Sequence, residues 1–454
     1  MKKLLLFAAF LVAFSSQAQD FWTEYATAQP AASTGFRSVS IVDDNVSWLN
    51  MTCGTTGCTT IRRYSKSVDG GLTYSTGVID LGATSADLEI GNIHGVSQDV
   101  AYASVFPKAT SPGGVYKTSN GGTTWVKQAS ATYSDAASFA NLVYFWNANE
   151  GVTMGDPVGG YFEIYTTSNG GTNWTRVGST PALVPNDATE YGLTNQFTVN
   201  GNTIWIGTTF GRILKSSDKG LTWSISQSPI PDFGGGINGT ESGDLAFSDA
   251  NNGLLQTSDY LLYSTADGGV TWTSVAWSGF LRNFGVSEIP GLPNTYITVG
   301  EDLDNTERGS SYTTNGGLTW ININNDPDTN FVDGGVIAFL NANTGFASGF
   351  STSAAVGGIF KWNAAHQPFL AATTFSNDKA FTATPNPTTG LLNLAGKNIN
   401  QVIVYDLLGK QVSTNNYSAI NNVSINLGSL NAGVYMVKVT NSLGSSSTIK
   451  VVKQ

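Results

Sequence analysis

A short motif that recurs along the chain constrains the fold more than any other feature of the sequence. The segment LYSTADGGVTW, at Leu262 to Trp272, has counterparts that end at Tyr74, Trp125, Trp174, Trp223 and Trp320. The apolar residue near the start of each unit recurs every 48 to 52 residues, at Tyr64, Tyr116, Tyr165, Leu214, Tyr263, Tyr312 and Phe360. Such a period with only strand-like segments inside it is typical of a propeller. The sequence therefore predicts an all-β chain with a seven-bladed β-propeller.

The two ends of the repeat region complement each other. Phe21 to Glu24 is similar to the strand that follows each motif, and Gly357 to Trp362 is similar to the strand that precedes it, but neither adjoins a motif. An N-terminal strand that completes the last blade would leave no exposed sheet edge at the junction. We therefore expect residues 20–366 to form a closed ring in which the first strand belongs to the seventh blade.

A second, smaller region follows the repeats. Residues 367–380 are predicted to be a linker, and residues 381–454 contain alternating runs such as QVIVYD at Gln401 and VYMVKV at Val434. Alternation of apolar and polar residues is typical of strands that bury one face. This region is predicted to form a small Ig-like β-sandwich.

The N-terminus and the charge balance indicate where the protein works. Residues 1–19 contain Lys2 and Lys3, an apolar run from Leu4 to Phe14, and small residues before Gln19, which together are typical of a signal peptide. The apolar run is too short to span a bilayer, so we expect an exported protein that is not embedded in a membrane. The formal net charge of -10 argues against nucleic acid as a partner.

The two cysteines, Cys53 and Cys58, are expected to form a disulfide that pins one hairpin loop. An exported chain meets an oxidising environment, which favours this pairing. A redox-active pair is the alternative, although the spacing is not Cys-x-x-Cys. The two histidines, His94 and His366, are scattered and add no metal-ligand cluster, so neither a metal nor another cofactor is predicted.

The repeated motif has the consensus Ser/Thr-x-Asp/Asn-x-Gly-x-Thr-Trp. The Asp or Asn side chain can accept backbone N–H bonds within the turn, the following Gly can adopt a positive φ, and the Trp can bury a large apolar area. A structural role is therefore predicted for Asp69, Asn120, Asn169, Asp218, Asp267 and Asn315. Catalysis or calcium binding is the alternative, but a site that needs charge would not accept Asn at three of these six positions.

The motif resembles the Asp-box, or BNR, repeat of sialidases, sortilin-like propellers and photosystem II assembly factor-like proteins. The resemblance covers about residues 20–366 and is nearest to the assembly-factor type, whose repeat opening is similar to FRSVSIVDDNVSWLN at Phe36. It implies the propeller fold and says little about function. A sialidase would be expected to carry a proline in its opening, whereas this chain has Arg37-Ser38-Val39 after Phe36.

The C-terminal region resembles the type A sorting domain of the type IX secretion system of Bacteroidota. The resemblance rests on TPNPTTG at Thr384, VYDLLGKQV at Val404, LNAGVYMVKV at Leu430, and a basic tail. It implies that residues 381–454 engage the secretion machinery for transport across the outer membrane, followed by their removal and by release or surface attachment. A simple adhesive β-sandwich is the alternative.

One face of the predicted propeller is expected to bind ligand. With the strands of a blade labelled A to D from the centre outward, the A–B turns and the motifs share one face. The B–C loops and the starts of the A strands share the other, here called the loop face, and irregular loops on a rigid scaffold are where binding is expected. The candidate ligand-binding residues there are Arg37, Asn141, Asp156, Arg282 and Glu301. The alternative for each is a solvated loop charge or a salt bridge between blades.

Two functions follow from these features. The first, which we favour, is a secreted or surface-attached, non-catalytic propeller that binds a protein or a glycan through its loop face. The second is an extracellular glycoside hydrolase that acts on a polysaccharide, with Asp156 and Glu301 as its two carboxylates. The sequence contains no nucleophile elbow, phosphate loop or zinc motif.

Deletion of residues 381–454 tests the role of the sorting region. Because the region is expected to address the chain to the secretion machinery, the truncated protein should accumulate in the periplasm. Immunoblots of periplasmic and extracellular fractions measure this, with the full chain as the control. Unchanged delivery of the truncated protein to the outside would contradict the prediction.

Overall fold

The chain divides into two units, Met1–Phe369 and Leu370–Gln454, and both are built from β-strands. The computed structural model describes residues 21–454 except 55–60, 110, 239, 305–306, 327–334, 354, 366–367, 370–380, 408 and 442–445. The predicted signal peptide (residues 1–19), Cys58, His366 and most of the predicted linker lie outside the described residues. The disulfide between Cys53 and Cys58 therefore stays a prediction.

Among the described residues, seven sheets make up the first unit, and each sheet is a blade. Strand β1 (Trp22–Ala26) precedes them in the chain. Blade 1 contains β2 (Thr34–Ile41), β3 (Ser47–Cys53), β4 (Arg63–Ser67) and β5 (Ser75–Val78). Blade 2 contains β6 (Leu88–Gly95), β7 (Ala101–Pro107), β8 (Gly114–Thr118) and β9 (Val126–Lys127). Blade 3 contains β10 (Ala140–Phe145), β11 (Gly151–Val158), β12 (Tyr161–Thr167) and β13 (Thr175–Arg176).

The second half of the ring repeats this plan. Blade 4 contains β14 (Gly192–Asn200), β15 (Thr203–Thr208), β16 (Arg212–Ser216) and β17 (Ser224–Gln227). Blade 5 contains β18 (Gly243–Phe247), β19 (Gly253–Thr257), β20 (Leu262–Thr265) and β21 (Thr273–Ser274). Blade 6 contains β22 (Ser278–Gly279), β23 (Gly285–Glu288), β24 (Tyr296–Glu301), β25 (Arg308–Thr313) and β26 (Thr319–Asp326). Blade 7 adds β27 (Ile337–Asn341), β28 (Thr344–Ser348) and β29 (Gly358–Trp362) to β1. Short 3₁₀ turns lie at Ser85–Asp87 and Pro181–Leu183.

The first strand of the chain closes the ring, as the sequence predicts. Blade 7 has the strand order β27-β28-β29-β1, and β1 pairs antiparallel with β29 from Trp22 opposite Trp362 to Ala26 opposite Gly358. The rings of the two tryptophans lie 5.1 Å apart, edge to face. Trp22 also donates from Nε1 to Oγ of Ser310 in blade 6, at 2.8 Å. The closing strand therefore holds blade 7 together and ties it to its neighbour.

The core of the ring is divided among the seven junctions between blades. Each pair of adjacent blades encloses its own cluster of buried apolar side chains, including the junction of blade 7 with blade 1. At the junction of blades 4 and 5, for example, Trp205 stacks on Phe247 with ring centroids 3.9 Å apart. The innermost strands of adjacent blades are also in contact around the whole circle. No blade can bury its faces alone, so the blades stabilise one another.

The repeated motif forms the same hydrogen-bonded turn in blade after blade. In blade 1, Ser67 donates from Oγ to Asp69 and accepts the N–H of Gly71, both at 2.8 Å, and Asp69 accepts the N–H of Thr73 at 2.9 Å. Gly71 has a φ of 84°, in the region that favours glycine. The turn thus satisfies its own backbone donors.

Asp and Asn fit this turn equally because the threonine hydroxyl of the turn can donate a hydrogen bond to Asp or accept one from Asn. Thr73 donates its hydroxyl to Oδ2 of Asp69 at 2.6 Å. In blade 2, Asn120 instead donates from Nδ2 to Oγ1 of Thr124 at 2.9 Å. Both side chains accept a backbone N–H through Oδ1. The motif therefore needs an acceptor oxygen at this position and does not need a charge.

The second unit is a separate β-sandwich with its own core. It contains β30 (Phe381–Thr384), β31 (Leu391–Tyr405), β32 (Gln411–Asn426), β33 (Gly433–Asn441) and β34 (Ser446–Lys453). The long strand β31 pairs with β32 along its length, with β30 near its start and with β33 near its end. Alternate side chains such as Leu392, Leu394, Val402 and Val404 are buried in the core of this unit. This alternation is the pattern from which the sandwich was predicted.

Replacement of Trp22 by alanine tests the closing strand. Trp22 is 6% exposed, and loss of a buried tryptophan costs about 3–5 kcal/mol. We expect the free energy of unfolding of Trp22→Ala, measured by urea denaturation, to fall by this order. Val126→Ala is the control, because Val126 is 62% exposed on an outer strand and should change stability by less than about 0.5 kcal/mol. Equal losses in the two variants would contradict a closing role.

A pair of substitutions at Asp69 tests the turn chemistry. Asp69→Asn keeps the acceptor oxygen and should unfold at nearly the wild-type urea concentration. Asp69→Ala removes the acceptor for Leu72, Thr73 and Ser67, and should lower the free energy of unfolding by about 1 kcal/mol, since water competes for these bonds. If Asp69→Asn is as destabilising as Asp69→Ala, then the charge and not the acceptor is what the turn requires.

Candidate functional site

The innermost strands of the seven blades surround a cavity of about 490 Å³, here called the axial cavity. Each of β2, β6, β10, β14, β18, β23 and β27 contributes to its lining. Residues just before inner strands, Ser242 and Asn283, and Ser258 of a B–C loop also line it, so the lining extends to the loop face. Its size is within the range of small-molecule sites in proteins.

Two carboxylates from neighbouring blades line the axial cavity. Asp244 of β18 accepts the N–H of Val286 from blade 6 at 3.1 Å and the N–H of Leu245 at 2.9 Å. Burial raises the pKa of Asp244 to about 6. Burial also raises the pKa of Glu288, on β23, to about 7, and the negative charge of Asp244 adds to this effect. Both groups therefore change protonation near neutral pH.

An aromatic wall faces the cavity from blades 2 to 4. The rings of His94 and Tyr144 lie 4.5 Å apart, and those of Tyr144 and Phe197 lie 5.9 Å apart. His94 Nε2 hydrogen-bonds with the carbonyl oxygen of Phe145 at 2.9 Å. Burial lowers the pKa of His94 to about 4, so the ring is neutral at physiological pH.

Of the five residues nominated from the sequence, Arg37 lies in the lining of the axial cavity. It forms a salt bridge with Glu89 at 2.9 Å and donates to the carbonyl oxygen of Ile90 at 3.2 Å. Both partners belong to blade 2, whereas Arg37 belongs to blade 1. Its contacts within the protein therefore join two blades at the cavity mouth.

Asn141 and Asp156 are adjacent in blade 3. Asn141, which is fully buried, donates from Nδ2 to Oδ1 of Asp156 at 2.7 Å, and the same oxygen accepts the N–H of Gly192 at 3.1 Å. Burial raises the pKa of Asp156 to about 7, although these hydrogen bonds oppose the shift. The pair joins blade 3 to the connection that enters blade 4.

Arg282 and Glu301 have separate partners in blade 6. The Arg282 side chain is fully buried and donates to the carbonyl oxygen of Glu307 at 2.7 Å, and burial lowers its pKa. Glu301 forms a salt bridge with Arg308 at 3.0 Å. Glu301 and Asp156 thus belong to blades 6 and 3, and neither is among the residues that line the axial cavity.

Two of the connections from a D strand to the next A strand carry buried carboxylates that were not nominated from the sequence. Asp232 is fully buried and accepts four backbone N–H groups, from Gly234, Gly236, Ile237 and Asn238. Glu190 forms a salt bridge with Arg212 at 2.8 Å. The run Pro231-Asp232-Phe233-Gly234-Gly235 has the Asp-x-Gly pattern of a tight turn, which could have indicated the first of these.

Comparison with protein families identifies the C-terminal unit. Residues 383–454 match the family model described as "Secretion system C-terminal sorting domain". The chain is therefore an exported propeller that uses the type IX secretion system, and it is secreted or held at the outer-membrane surface.

No helix among the described residues is long and apolar enough to cross a membrane. The same residues contain no group of three or more His, Cys, Asp or Glu side chains that could hold a metal ion.

Comparison with solved structures gives the fold of the first unit. The chain is similar to YCF48 bound to D1 peptide, with TM-score 0.50 and 15% identity over 76% of this chain and 97% of that chain. It is also similar to YCF48 from Cyanidioschyzon merolae, with TM-score 0.50 and 17% identity over 76% and 99%. A xyloglucanase of family GH74 from Xanthomonas campestris matches with TM-score 0.34 and 12% identity over 91% and 79%. No curated protein matches the sequence.

Substitution of Asp156 by asparagine tests the buried carboxyl. The pKa of Asp156 rises from about 3.9 in the unfolded chain to about 7 in the fold, so the wild type loses stability as the pH increases between these values. The amide oxygen of the Asp156→Asn variant can still accept both hydrogen bonds, and the amide does not titrate.

We expect the stability of Asp156→Asn relative to wild type to increase by up to about 1.4 kcal/mol per pH unit across this window. Urea denaturation at pH 5, 6, 7 and 8 measures the difference. A difference that does not vary with pH would show that Asp156 is ionised throughout.

Proposed function

We propose that this exported propeller is a non-catalytic binding protein that holds an extracellular protein or glycan at its loop face, with part of the ligand entering the axial cavity. The observation that carries the proposal is the cavity itself. All seven blades line it, and its lining reaches the irregular loops of the loop face, where a rigid scaffold can present side chains to a ligand.

The contacts of the nominated carboxylates favour binding over catalysis. A glycoside hydrolase needs two carboxyl groups that flank one cleft, about 5–10 Å apart. Asp156 is engaged with Asn141, and Glu301 is engaged with Arg308, in two blades that are not adjacent. These contacts suit residues that hold the blades and loops in place.

Exposed apolar side chains on the loop face favour a protein among the possible ligands. Val184, Tyr191, Ile237 and Leu303 lie in D–A connections or B–C loops, and each is between 37% and 62% exposed. Aromatic and aliphatic side chains are what protein interfaces bury at their centres. The structure described as YCF48 bound to D1 peptide is a precedent for peptide binding by a propeller of this fold.

Binding is tested with the full mature chain on a glycan array and a displayed peptide library. Thr194→Trp places a large ring in the axial cavity, and we expect it to weaken binding of any selected ligand at least tenfold. Val126→Trp, on an exposed outer strand, is the matched control and should bind as wild type does. Full binding by Thr194→Trp would contradict the proposed site, and the absence of any ligand from both collections would contradict the proposed function.

A hydrolase remains the second candidate because Asp156 keeps its proton near neutral pH, as a general acid must. If it is correct, the wild type releases sugar from one of a panel of polysaccharides, and Asp156→Asn and Glu301→Gln abolish release while binding persists. We expect no release of reducing sugar by any of the three proteins. Wild-type release that both substitutions abolish would establish the hydrolase.

A further inference from the structure

The axial cavity has an excess of hydrogen-bond acceptors on the side formed by blades 5 and 6. Asp244 and Glu288 contribute carboxylates there, and Gln256 lies directly opposite Asp244 in the pairing of β18 with β19. Gln256 is 2% exposed, and its Nε2 donates to the carbonyl oxygen of Arg282. Within the described part of the chain its Oε1 has no hydrogen-bond partner. A buried acceptor without a donor is costly, so this oxygen is available to accept a hydrogen bond from a ligand in the cavity.

The cations of the cavity lining do not supply that donor. Arg37 is engaged with Glu89 and Ile90 of blade 2. His94 is neutral and hydrogen-bonds with Phe145. Among the described residues, neither Asp244 nor Glu288 takes part in a salt bridge. The two carboxylates therefore face the cavity without a positive partner from the lining.

The opposite wall suits a positive charge as well. Burial raises the pKa of Tyr144 to about 12, and the charge of Glu288 adds to this effect, which places the carboxylate within electrostatic reach of the aromatic wall. The faces of Tyr144 and Phe197 carry the negative side of their quadrupoles, and aromatic faces attract ammonium and guanidinium groups. Carboxylates on one side and aromatic rings on the other form an environment for an organic cation.

We propose that the axial cavity binds the ammonium or guanidinium group of a lysine or arginine side chain that a polypeptide ligand inserts from the loop face. The inserted cation donates to Asp244, Glu288 and Oε1 of Gln256, and its alkyl stem packs against Tyr144 and Phe197. This inference rests on the proposed binding function and adds the chemistry of the ligand. The cavity volume of about 490 Å³ is sufficient for one such side chain.

The probe for this site is the peptide acetyl-Gly-Gly-Lys-Gly-Gly-amide, titrated into the full mature chain by calorimetry. The matched probe carries Nε-acetyllysine, which keeps the stem and removes the charge. We expect the acetylated peptide to bind at least tenfold more weakly. Equal affinity of the two peptides would overturn the proposal without any substitution in the protein.

Two variants locate the cation. Asp244→Asn and Glu288→Gln should each weaken binding of the lysine peptide at least tenfold, whereas Asp99→Asn, which changes an exposed carboxylate outside the cavity, should bind as wild type does. Circular dichroism and urea midpoints show whether each variant is folded. Unchanged affinity in folded Asp244→Asn and Glu288→Gln would overturn the assignment.

The pH profile of the wild type gives a test that needs no variant. Of the titratable lining groups Arg37, His94, Tyr144, Asp244 and Glu288, the last two change charge between pH 5 and pH 8. Because a cation prefers the ionised carboxylates, the lysine peptide should bind at least tenfold more tightly at pH 8 than at pH 5. Affinity that is flat or falls with pH would overturn the proposal.

Competition identifies the source of the cation. Free n-butylammonium should displace the lysine peptide only at concentrations at least tenfold above that of the peptide, because it lacks the backbone contacts at the loop face. Displacement by calcium chloride at lower concentration than by n-butylammonium would assign the cavity to a metal ion and overturn the proposal.

One comparison separates the binding function from the cation inference. If Thr194→Trp abolishes binding of a library-selected ligand but Asp244→Asn and Glu288→Gln do not, the binding function stands and the cation inference fails.

Discussion

The antiparallel pairing of β1 with β29 holds the first unit in one piece, because it joins the two ends of a ring whose core is distributed among its junctions. Trp22 and Tyr25 both lie on β1, and they pack into the clusters on opposite sides of blade 7. Without this strand both junctions would lose apolar contacts, and the outer edge of β29 would be exposed. A single strand thus supports two of the seven interfaces on which the axial cavity depends.

The architecture could be predicted from the sequence because its determinants are local. Each turn motif contains its own hydrogen-bond partners within a few residues, as Ser67, Asp69 and Thr73 do, and the period between motifs sets the size of a blade. The prediction of seven blades and of a closing N-terminal strand is confirmed, and so is the C-terminal sorting domain. The extra strand β22, which pairs parallel with β26, has no counterpart in the repeat and was not predicted.

The candidate site was harder to predict because its determinants lie between blades. The sequence nominated both Arg37 and Arg282 on the loop face, but it could not show that Arg37 would line the cavity while Arg282 is fully buried in blade 6. Asp244 was not nominated, because in the sequence it is a single polar residue at the start of an inner strand. Its importance depends on Gln256 across the sheet and on Glu288 in the next blade. Such neighbours follow from the ring geometry and not from the spacing of residues.

The pairing of the first strand with the last repeat also has a kinetic consequence. Trp22 and Trp362 are separated in sequence by nearly the whole propeller, so the contact that completes the ring has a very high sequence separation, and contacts of this kind slow folding. Until β29 is available, β1 is an unpaired strand and the incomplete ring has two open sheet edges, which are prone to aggregation. During synthesis the ring therefore cannot close until the final blade, just ahead of the sorting domain, has emerged.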